Sequence, residues 1–426
     1  MKKLLSLFLS LACLLCMLSC VKDDAFKQQQ ALASGTENNS LGHNYYQQKV
    51  QDAVDKVRKD LSDSLNAAVP SLNVLIQTPT DKIFVSSVAA SQQPVTAQTY
   101  YRFASNTKNF TAAAILNMYE DGWLDYKAKI TDTIPGSDVP YVPATTNWQF
   151  PYKNEITIEQ LLQHSAGVFD VDNDPVPGYN GLTYTEYVMQ ADPMHQFTTT
   201  EMVKVLRQKK LYYFAPGKGY HYSNTGYSIL AEIIKRVYSY RTSKDKTYAD
   251  YLKDYITGNS APVPLKHVHF PILATDISMP DPHVTGTVLS PEGKQKFDQY
   301  NMSAQTGEGN GYGTMDDLNK FIRTLMKGEN VLKLKTIRLM QNDVSSANPQ
   351  YALGCTFTKN LGYGHNGARI GYLSLMAYDP DHDVSVVSMI PLWDLRDGIT
   401  SFLKCFYSIY DAAYAAREAL GYPGKP

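Results

Sequence analysis

The sequence predicts an α/β fold in which an antiparallel sheet, built from both ends of the chain and flanked by helices, carries an inserted, mainly helical subdomain. The first observation is that short β-forming runs are confined to the two ends, at 72–77, 82–87, 351–358, 373–378 and 384–390. The second is that the region between them, about 125–345, shows helical periodicity and many loops. Strands at both ends with helices between them imply one sheet with a helical lobe inserted into it.

Composition places this chain of 426 residues among ordinary globular proteins. Hydrophobic residues make up 43% and charged residues 19%, and 40 Lys and Arg against 41 Asp and Glu give a net charge of −1. A protein that binds mainly nucleic acid needs a basic surplus, so this balance argues against nucleic acid as a partner. At roughly 150 residues per domain the length suggests two or three domains, although α/β enzymes often form one longer unit.

The first residues have the composition of an export signal. Lys2 and Lys3 precede an apolar run from 4 to 18, which is too short to span a bilayer comfortably and is typical of a secretory signal peptide. Ser19 followed by Cys20 resembles a bacterial lipobox. We therefore expect residues 1–19 to be removed and Cys20 to carry a lipid that anchors the protein to a membrane. Simple secretion is the alternative.

The residues after this cysteine are polar, so residues 20–43 are predicted to form a tether. Their first part, Lys-Asp-Asp, resembles a signal that places some lipoproteins on the cell surface. The expected location is therefore the cell envelope, at the outer membrane. The inner and the outer face of that membrane are both compatible with the sequence.

Local sequence patterns predict the individual helices and strands. Apolar residues recur every three or four positions from 45 to 65, which predicts a helix. A Thr-Pro-Thr-Asp turn joins the runs at 72–77 and 82–87, which predicts a hairpin. A buried helix is expected from Ser105 to Glu120. Further helices are predicted at 158–163, 201–208, 226–238, about 314–327 and about 399–420.

Four Ser-x-x-Lys pairs are candidates for a serine nucleophile with a lysine base. On a helix, residues i and i+3 share a face, which places the amine beside the hydroxyl that it must deprotonate. Only Ser105 and Lys108 open a buried helix, where the helix N-terminus favours negative charge and burial would lower the pKa of the lysine. The other three pairs lie at the signal cleavage site, in a charged loop and inside the last helix: Ser19/Lys22, Ser243/Lys246 and Ser401/Lys404.

Two further short motifs follow along the chain. Tyr222-Ser-Asn224 comes after Phe-Ala-Pro-Gly and just before a helix, and His365-Asn-Gly367 is the only His-x-Gly sequence in the chain. In this order and these contexts, the three motifs resemble those of the serine penicillin-recognising enzymes. The similarity is greatest to the branch of class C β-lactamases, secreted DD-peptidases, D-aminopeptidases and related esterases.

Neighbouring segments support the resemblance, which covers about 70–420. Residues 101–116 are similar to the nucleophile helix of the family, and residues 156–167 to its Leu-Leu-x-His-x-Ser-Gly segment. The resemblance implies a β-lactamase/transpeptidase-like fold, with a catalytic domain at 44–426 and its helical lobe at about 125–345.

The resemblance also implies a covalent acyl-enzyme mechanism that needs no cofactor. Ser105 would attack a carbonyl carbon, and Lys108 and Tyr222 would share its proton, with Tyr222 as a phenolate held by nearby positive charge. The catalytic residues expected are therefore these three.

Substrate-binding roles are implied for the remaining motif residues. Asn224 would hold a substrate amide, and His365 would line an edge strand and orient the substrate or a proton. The backbone N–H groups of Ser105 and of Ala368, which follows Gly367, would form the oxyanion hole.

The third motif departs from that of true class C β-lactamases. The chain has no Lys-Thr-Gly, and His365 stands where the lysine is usual, as in DD-peptidases and D-aminopeptidases. This puts efficient β-lactam hydrolysis in doubt. Arg369 lies just beyond and could bind a substrate carboxylate, although a surface salt bridge is the favoured interpretation.

The expected function is a serine hydrolase that acts on a small D-amino-acid peptide or amide. An esterase or a weak β-lactamase of the same fold is the alternative. A non-catalytic surface binding protein on a degenerate scaffold would be marked by the loss of Ser105, Lys108 or Tyr222, and none is lost. Nothing in the sequence indicates an oligomeric state.

Other residues that could carry chemistry have simpler interpretations. His164 is expected to be a buried structural residue, and His267 and His269 lack a third partner for a metal ion. The glycine-rich segment 307–313 is expected to be a close backbone turn near the cleft rather than a nucleotide loop. Cys355 and Cys405 are either a disulfide or two buried thiols.

Overall fold

The computed structural model of the protein describes residues 39–90 and 95–426. The predicted signal peptide, the predicted lipidation site Cys20 and most of the predicted tether lie outside these residues. In the described part of the chain, no helix combines the length and the apolar character that crossing a membrane requires. The first helix, α1, is Asn39–Leu65, so it begins six residues before the predicted start and includes the end of the predicted tether.

One six-stranded sheet is built from both ends of the chain, which confirms the predicted architecture. Its strands are β1 Ser71–Gln77, β2 Lys82–Val88, β7 Thr356–Thr358, β8 Gly362–Arg369, β9 Tyr372–Asp379 and β10 Val384–Ile390. Their spatial order is β2-β1-β10-β9-β8-β7, and every neighbouring pair is antiparallel.

Helices cover both faces of this sheet. Successive side chains of a strand point to opposite faces, and in β1 the residues Val74 and Ile76 join one apolar cluster whereas Leu75 joins the other. The first cluster contains α1 and the last helix, α10 (Gly398–Ala419). The second contains the buried helix α2 (Thr107–Glu120) and α8 (Met315–Met326).

The lobe between β2 and β7 is mainly helical, as predicted. Its other helices are α3 Ile158–Leu162, α4 Tyr184–Ala191, α5 Thr199–Lys209, α6 Asn224–Thr242, α7 Tyr248–Tyr251 and α9 Leu334–Asn342. Threonine and serine caps fix several starts, for example Thr198 before α5 and Ser223 before α6.

Two small β elements inside the lobe were not predicted. A hairpin of β4 (Gly286–Ser290) and β5 (Gly293–Phe297) joins β11 (Leu392–Asp394), and β3 (Tyr100–Arg102) pairs with β6 (Tyr312–Thr314). The strand β5 is largely exposed. An exposed edge strand carries no alternating apolar pattern, which is the signal that predicts a strand.

The strand predicted at 351–358 is wrong over most of its length. Only Thr356–Thr358 forms a strand, because the chain turns at Gly354 with φ at +67°. The N–H of Ala352 closes this turn by donating to the carbonyl of Cys355. The turn keeps β7 short, and β7 therefore pairs with β8 only from Gly362 to Gly364.

Candidate active site

Ser105 lies in a single 3-10 turn, Ala104–Asn106, directly before α2. Ala104 precedes it with φ at +50°, a conformation that is uncommon for a residue with a side chain. Such strain persists where the surroundings enforce it, and it is concentrated at functional sites. Ser105 borders a pocket, at the end of the helix where the backbone dipole favours negative charge.

Four oxygen atoms surround the buried Lys108 nitrogen. Nζ lies 3.2 Å from Ser105 Oγ and 2.8 Å from Asn224 Oδ1. The other two atoms belong to Glu308, whose carbonyl oxygen is 2.8 Å away and whose Oε2 is 3.3 Å away. The amide, carbonyl and carboxylate oxygens only accept, so they take the three hydrogens of an ammonium group. The hydroxyl of Ser105 can donate, and it can do so to the nitrogen once the lysine has lost a proton.

Burial shifts both members of the Lys108–Glu308 pair toward their uncharged forms. It lowers the pKa of Lys108, while Glu308 and then Asp170 oppose that shift through their negative charge. Burial also raises the pKa of Glu308 to about 8, against the influence of Lys108. The free base of the lysine is therefore more accessible here than in water, as a general base requires.

Tyr222 lies on the other side of the serine. Its hydroxyl is hydrogen-bonded to that of Ser105, and its ring centroid is 4.7 Å from Lys108 Nζ. Burial raises the pKa of Tyr222 well above its ordinary value. The expectation of a resting phenolate is therefore wrong. The tyrosine is a neutral phenol, because burial and the nearby Glu308 and Asp170 all disfavour a negative charge on it.

Asn224 is fixed by its position as the first residue of α6. Its backbone N–H donates to Asp170 Oδ2 at 2.7 Å, and its side-chain nitrogen donates to Asp172 at 3.3 Å. Its side-chain oxygen is thereby aimed at Lys108. Asp170 also accepts three hydrogen bonds from the backbone of Asp172 and from the backbone and side chain of Asn173. Asp170 and Asp172 were not predicted, although they follow directly after the recognised segment 156–167.

The edge strand β8 brings the third motif to the serine. Gly367 packs against the residues before Ser105, since a Cβ at this position would lie 2.2 Å from the carbonyl oxygen of Phe103 and 2.6 Å from Ser374 Oγ. Only glycine allows that approach. Ala368, the next residue, borders the same pocket as Ser105.

His365 is buried on this strand and uncharged. Burial and the nearby Lys108 lower its pKa to about 3. Its Nδ1 contacts the carbonyl oxygen of Asn366, which can only accept, so Nδ1 carries the proton. Nε2 then accepts from the Tyr351 hydroxyl at 3.0 Å. His365 therefore supplies no positive charge at this position.

Arg369 is paired, but within the pocket rather than on the surface. Its guanidinium is 3.5 Å from Asp172 and donates to the Tyr300 hydroxyl at 3.1 Å, with the Tyr300 ring centroid 5.0 Å away. The salt bridge that the sequence favoured is present, whereas its predicted surface location is wrong.

Glu308 is the main site residue that the sequence analysis missed. The segment 307–313 is a backbone turn near the cleft, as expected: Gly307 has φ at +85°, and a Cβ on Gly311 would lie 2.2 Å from the Phe103 ring. Glu308 is only 2% exposed. A charged residue between glycines in a tight turn was the one available signal, because charged side chains are rarely buried unless paired.

The other histidine and cysteine residues that the sequence singled out have no catalytic arrangement in the described part of the chain. His164 is buried, and its Nδ1 accepts from the backbone N–H of Ser223, which holds the turn that carries Tyr222. Among the described residues, no three His, Cys, Asp or Glu side chains are arranged to hold a metal ion. Cys355 and Cys405 are both free and buried, which decides against the disulfide.

One pocket connects these groups. It has a volume of about 130 Å³ and is bordered by Ser105, Tyr222, Asn224, His365 and Ala368, together with Glu308, Asp172 and Arg369. Of the predicted catalytic and substrate-binding residues, all but Lys108 and Gly367 border the pocket. Lys108 contacts Ser105 directly, and Gly367 packs against the residues before it.

The fold and this arrangement are those of a serine hydrolase with a lysine and a tyrosine beside the nucleophile. The chain matches the Beta-lactamase family over residues 49–393, and it belongs to that family.

Curated relatives match part of the chain. The chain is 30% identical to penicillin-binding protein 4* of Bacillus subtilis (strain 168) over 166 residues, which cover 39% of this chain and 30% of that protein. It spans about a third of the length of the curated relatives that it matches.

Solved structures cover the chain more fully. D-amino acid amidase from Ochrobactrum anthropi SV3 in complex with L-phenylalanine amide is similar with a TM-score of 0.66 and 20% identity, over 87% of this chain and 98% of the amidase. D-stereospecific amidohydrolase from a Streptomyces species is similar with a TM-score of 0.63 and 21% identity, over 86% of this chain and 98% of that protein.

Proposed function

We propose that the protein is a serine hydrolase that forms an acyl-enzyme with Ser105 and acts on a small D-amino-acid peptide or amide. The observation that carries the proposal is the contact of one pocket-facing hydroxyl with both a buried lysine and a buried tyrosine. A nucleophile within hydrogen-bonding distance of its base is the arrangement that covalent catalysis requires.

The reaction uses these groups in order. The neutral amine of Lys108 takes the proton of Ser105 as Oγ bonds to the substrate carbonyl carbon. The backbone N–H groups of Ser105 and Ala368 hold the resulting oxyanion, and one such donor contributes about 3 kcal/mol. Tyr222, a neutral phenol, donates its proton to the leaving nitrogen and recovers one from Lys108. Water then attacks the acyl-enzyme by the same route.

Support for an amide substrate comes from the charges of the site and from the relatives. With His365 uncharged and Arg369 paired with Asp172, no unpaired cation among the described pocket residues faces a substrate carboxylate. Two structurally similar proteins are a D-amino acid amidase and a D-stereospecific amidohydrolase.

The decisive experiment compares wild type with Ser105→Ala. Wild type should be labelled by an acyl-serine probe and should release D-Ala from a D-Ala-D-Ala peptide or ammonia from a D-amino-acid amide. The variant should do neither while it retains its circular dichroism spectrum. Persistent labelling of the folded variant would contradict the assignment.

An esterase is the second candidate, because much of the pocket wall is apolar, with Trp393, Phe402 and Phe406 among its residues. Hydrolysis of short-chain p-nitrophenyl esters without turnover of any D-peptide or D-amide would favour it. A chromogenic cephalosporin in the same panel tests weak β-lactamase activity.

The cellular location is a further part of the proposal. We propose that Cys20 is lipidated and that the catalytic domain is held at the outer membrane, on the grounds of the sequence before and after this residue. Metabolic labelling with a fatty acid analogue, lost in Cys20→Ala, tests the anchor. Protease treatment of intact cells then distinguishes the two faces of the membrane.

A further inference from the structure

The pocket extends beyond the catalytic groups, around the free edge of β8. The strand β7 pairs with β8 only up to Gly364, and no described strand lies beside residues 365–369 on that side. Gly367 faces the residues before Ser105, whereas Ala368 and then Ile370 pack with the cluster that contains α10. The same pocket is bordered by Ser105 on one face and by Phe406 on the other.

The part on the α10 face is an apolar arm, defined by Ile370, Trp393, Leu395, Phe402 and Phe406. Its aromatic wall is held firmly. The rings of Trp393 and Phe402 meet edge to face at 5.0 Å, and Trp393 Nε1 donates to the carbonyl of Tyr372 at 3.0 Å. Phe402 and Phe406 are one helical turn apart and stack at 6.2 Å. An apolar wall that borders an open pocket is best covered by an apolar group of a ligand.

The position of the arm relative to the serine identifies which part of a substrate it meets. Tyr222, the proton donor to the leaving group, lies near His365, with 6.2 Å between the ring centroids. The strand β8 runs four residues further, to Arg369, which at the rise of a strand is about 13 Å, and Ile370 follows in the turn after it. Gly367, which packs beside the serine, lies between them. The arm is therefore on the acyl side of the reacting carbonyl, away from the leaving group.

We propose that this arm is a specificity subsite that holds an aromatic or branched aliphatic group on the acyl side of the substrate. The proposal rests on the proposed acyl-enzyme function. A substrate extended along the free edge of β8 places alternate groups on the two faces of the strand. Its polar groups meet Asn224 and Arg369, and its apolar group enters the arm.

A series of activated esters with one leaving group tests the subsite, because only the acyl group that is transferred to the serine then differs between them. We expect kcat/KM for p-nitrophenyl phenylacetate and isovalerate to exceed that for the acetate by about tenfold or more. Ile370→Trp should fill the arm and lower kcat/KM for the phenylacetate and the isovalerate more than for the acetate, so that this preference is lost. Phe402→Ala should lower kcat/KM for the phenylacetate far more than for the acetate.

Tyr407→Ala is the matched control, because Tyr407 is on the same helix but is 46% exposed and lies outside the pocket. It should leave the preference intact. Equal rates for the three esters in wild type, or an equal loss for all of them in folded Ile370→Trp, would overturn the subsite.

A binding measurement separates this inference from the proposed function. If ester hydrolysis persists in Ser105→Ala, the acyl-enzyme proposal fails and the subsite is decided by calorimetry on that variant. Tighter binding of phenylacetamide than of acetamide, abolished by Ile370→Trp, would then support the arm, and equal binding would overturn it. If hydrolysis is lost in Ser105→Ala but wild type shows no acyl preference, the subsite fails and the hydrolase assignment stands.

Discussion

Replacing Glu308 with glutamine tests whether Lys108 is the base. The amide keeps the shape of the side chain and an oxygen that accepts from Lys108, but it removes the negative charge 3.3 Å from Nζ. At that distance the Coulomb interaction is about 5 kcal/mol for an effective dielectric constant of about 20. Asp170 and Asp172 still oppose the effect of burial, so we expect the pKa of Lys108 to fall by less than this interaction alone would give.

The direction of the pKa shift of Lys108 follows from the negative charge that Glu308→Gln removes. A carboxylate favours the ammonium form of Lys108, so its removal lowers the pKa of the lysine further. If the neutral amine is the reactive form, it then exists at lower pH, and the acid limb of kcat/KM moves to lower pH by the same amount. This limb reports the ionisation of the free enzyme.

The assay is hydrolysis of an activated ester under kcat/KM conditions from about pH 4 to 10. Glu232→Gln is the matched control, because that carboxylate also pairs with a lysine, Lys235, at 3.5 Å but lies outside the active-site pocket. An unchanged limb in Glu308→Gln would show that Lys108 is not the base. A limb that moved to higher pH would show that the reactive form carries its proton on Glu308.

Three further outcomes follow from the site. Gly367→Ala should lower kcat/KM by about 100-fold, because a new Cβ 2.2 Å from the carbonyl oxygen of Phe103 must push β8 away from the serine; a fully active, folded variant would contradict this contact. Nitrogen-15 NMR should find His365 neutral, with the proton on Nδ1, from about pH 5 to 8, since burial lowers its pKa to about 3; titration near its ordinary pKa would contradict it. Cys355 and Cys405 should react with a thiol reagent only on unfolding, and a reductant should leave the melting temperature unchanged; a lower melting temperature in reductant would indicate a disulfide.

Local signals explain why much of the site could be predicted. Ser105 and Lys108 are one helical turn apart, so their contact is fixed by helix geometry as soon as the helix is recognised. The turn at Tyr222 is likewise local, because Ser223 caps α6 and sets the direction of Asn224. The sheet could be predicted because β1, β9 and β10 are buried on both faces and read as apolar runs.

Long-range contacts explain what was missed. Glu308 meets Lys108 from 200 positions away in the chain, and nothing beside it in the sequence indicates that it is buried. The pKa of Tyr222 depends in the same way on which charges the fold brings near, so the sequence suggested a phenolate where the structure has a phenol. The exposed β5 was missed for a local reason, since it does not carry the apolar alternation that identifies a strand. The strand predicted at 351–358 is shortened by the turn at Gly354.

The balance of charges in the site shows how His365-Asn-Gly367, in place of Lys-Thr-Gly, affects the choice of substrate. Lys108 is balanced by Glu308 and Arg369 by Asp172, and His365 is neutral, so these five groups present no unpaired cation to the substrate. A substrate carboxylate could bind Arg369 only by displacing Asp172, which would leave a buried acid without its partner. Neutral amides and esters avoid that cost. We therefore expect this balance to disfavour β-lactams and peptides with a free carboxylate near the reacting carbonyl. Within the proposed range, D-amino-acid amides should be turned over faster than D-Ala-D-Ala peptides.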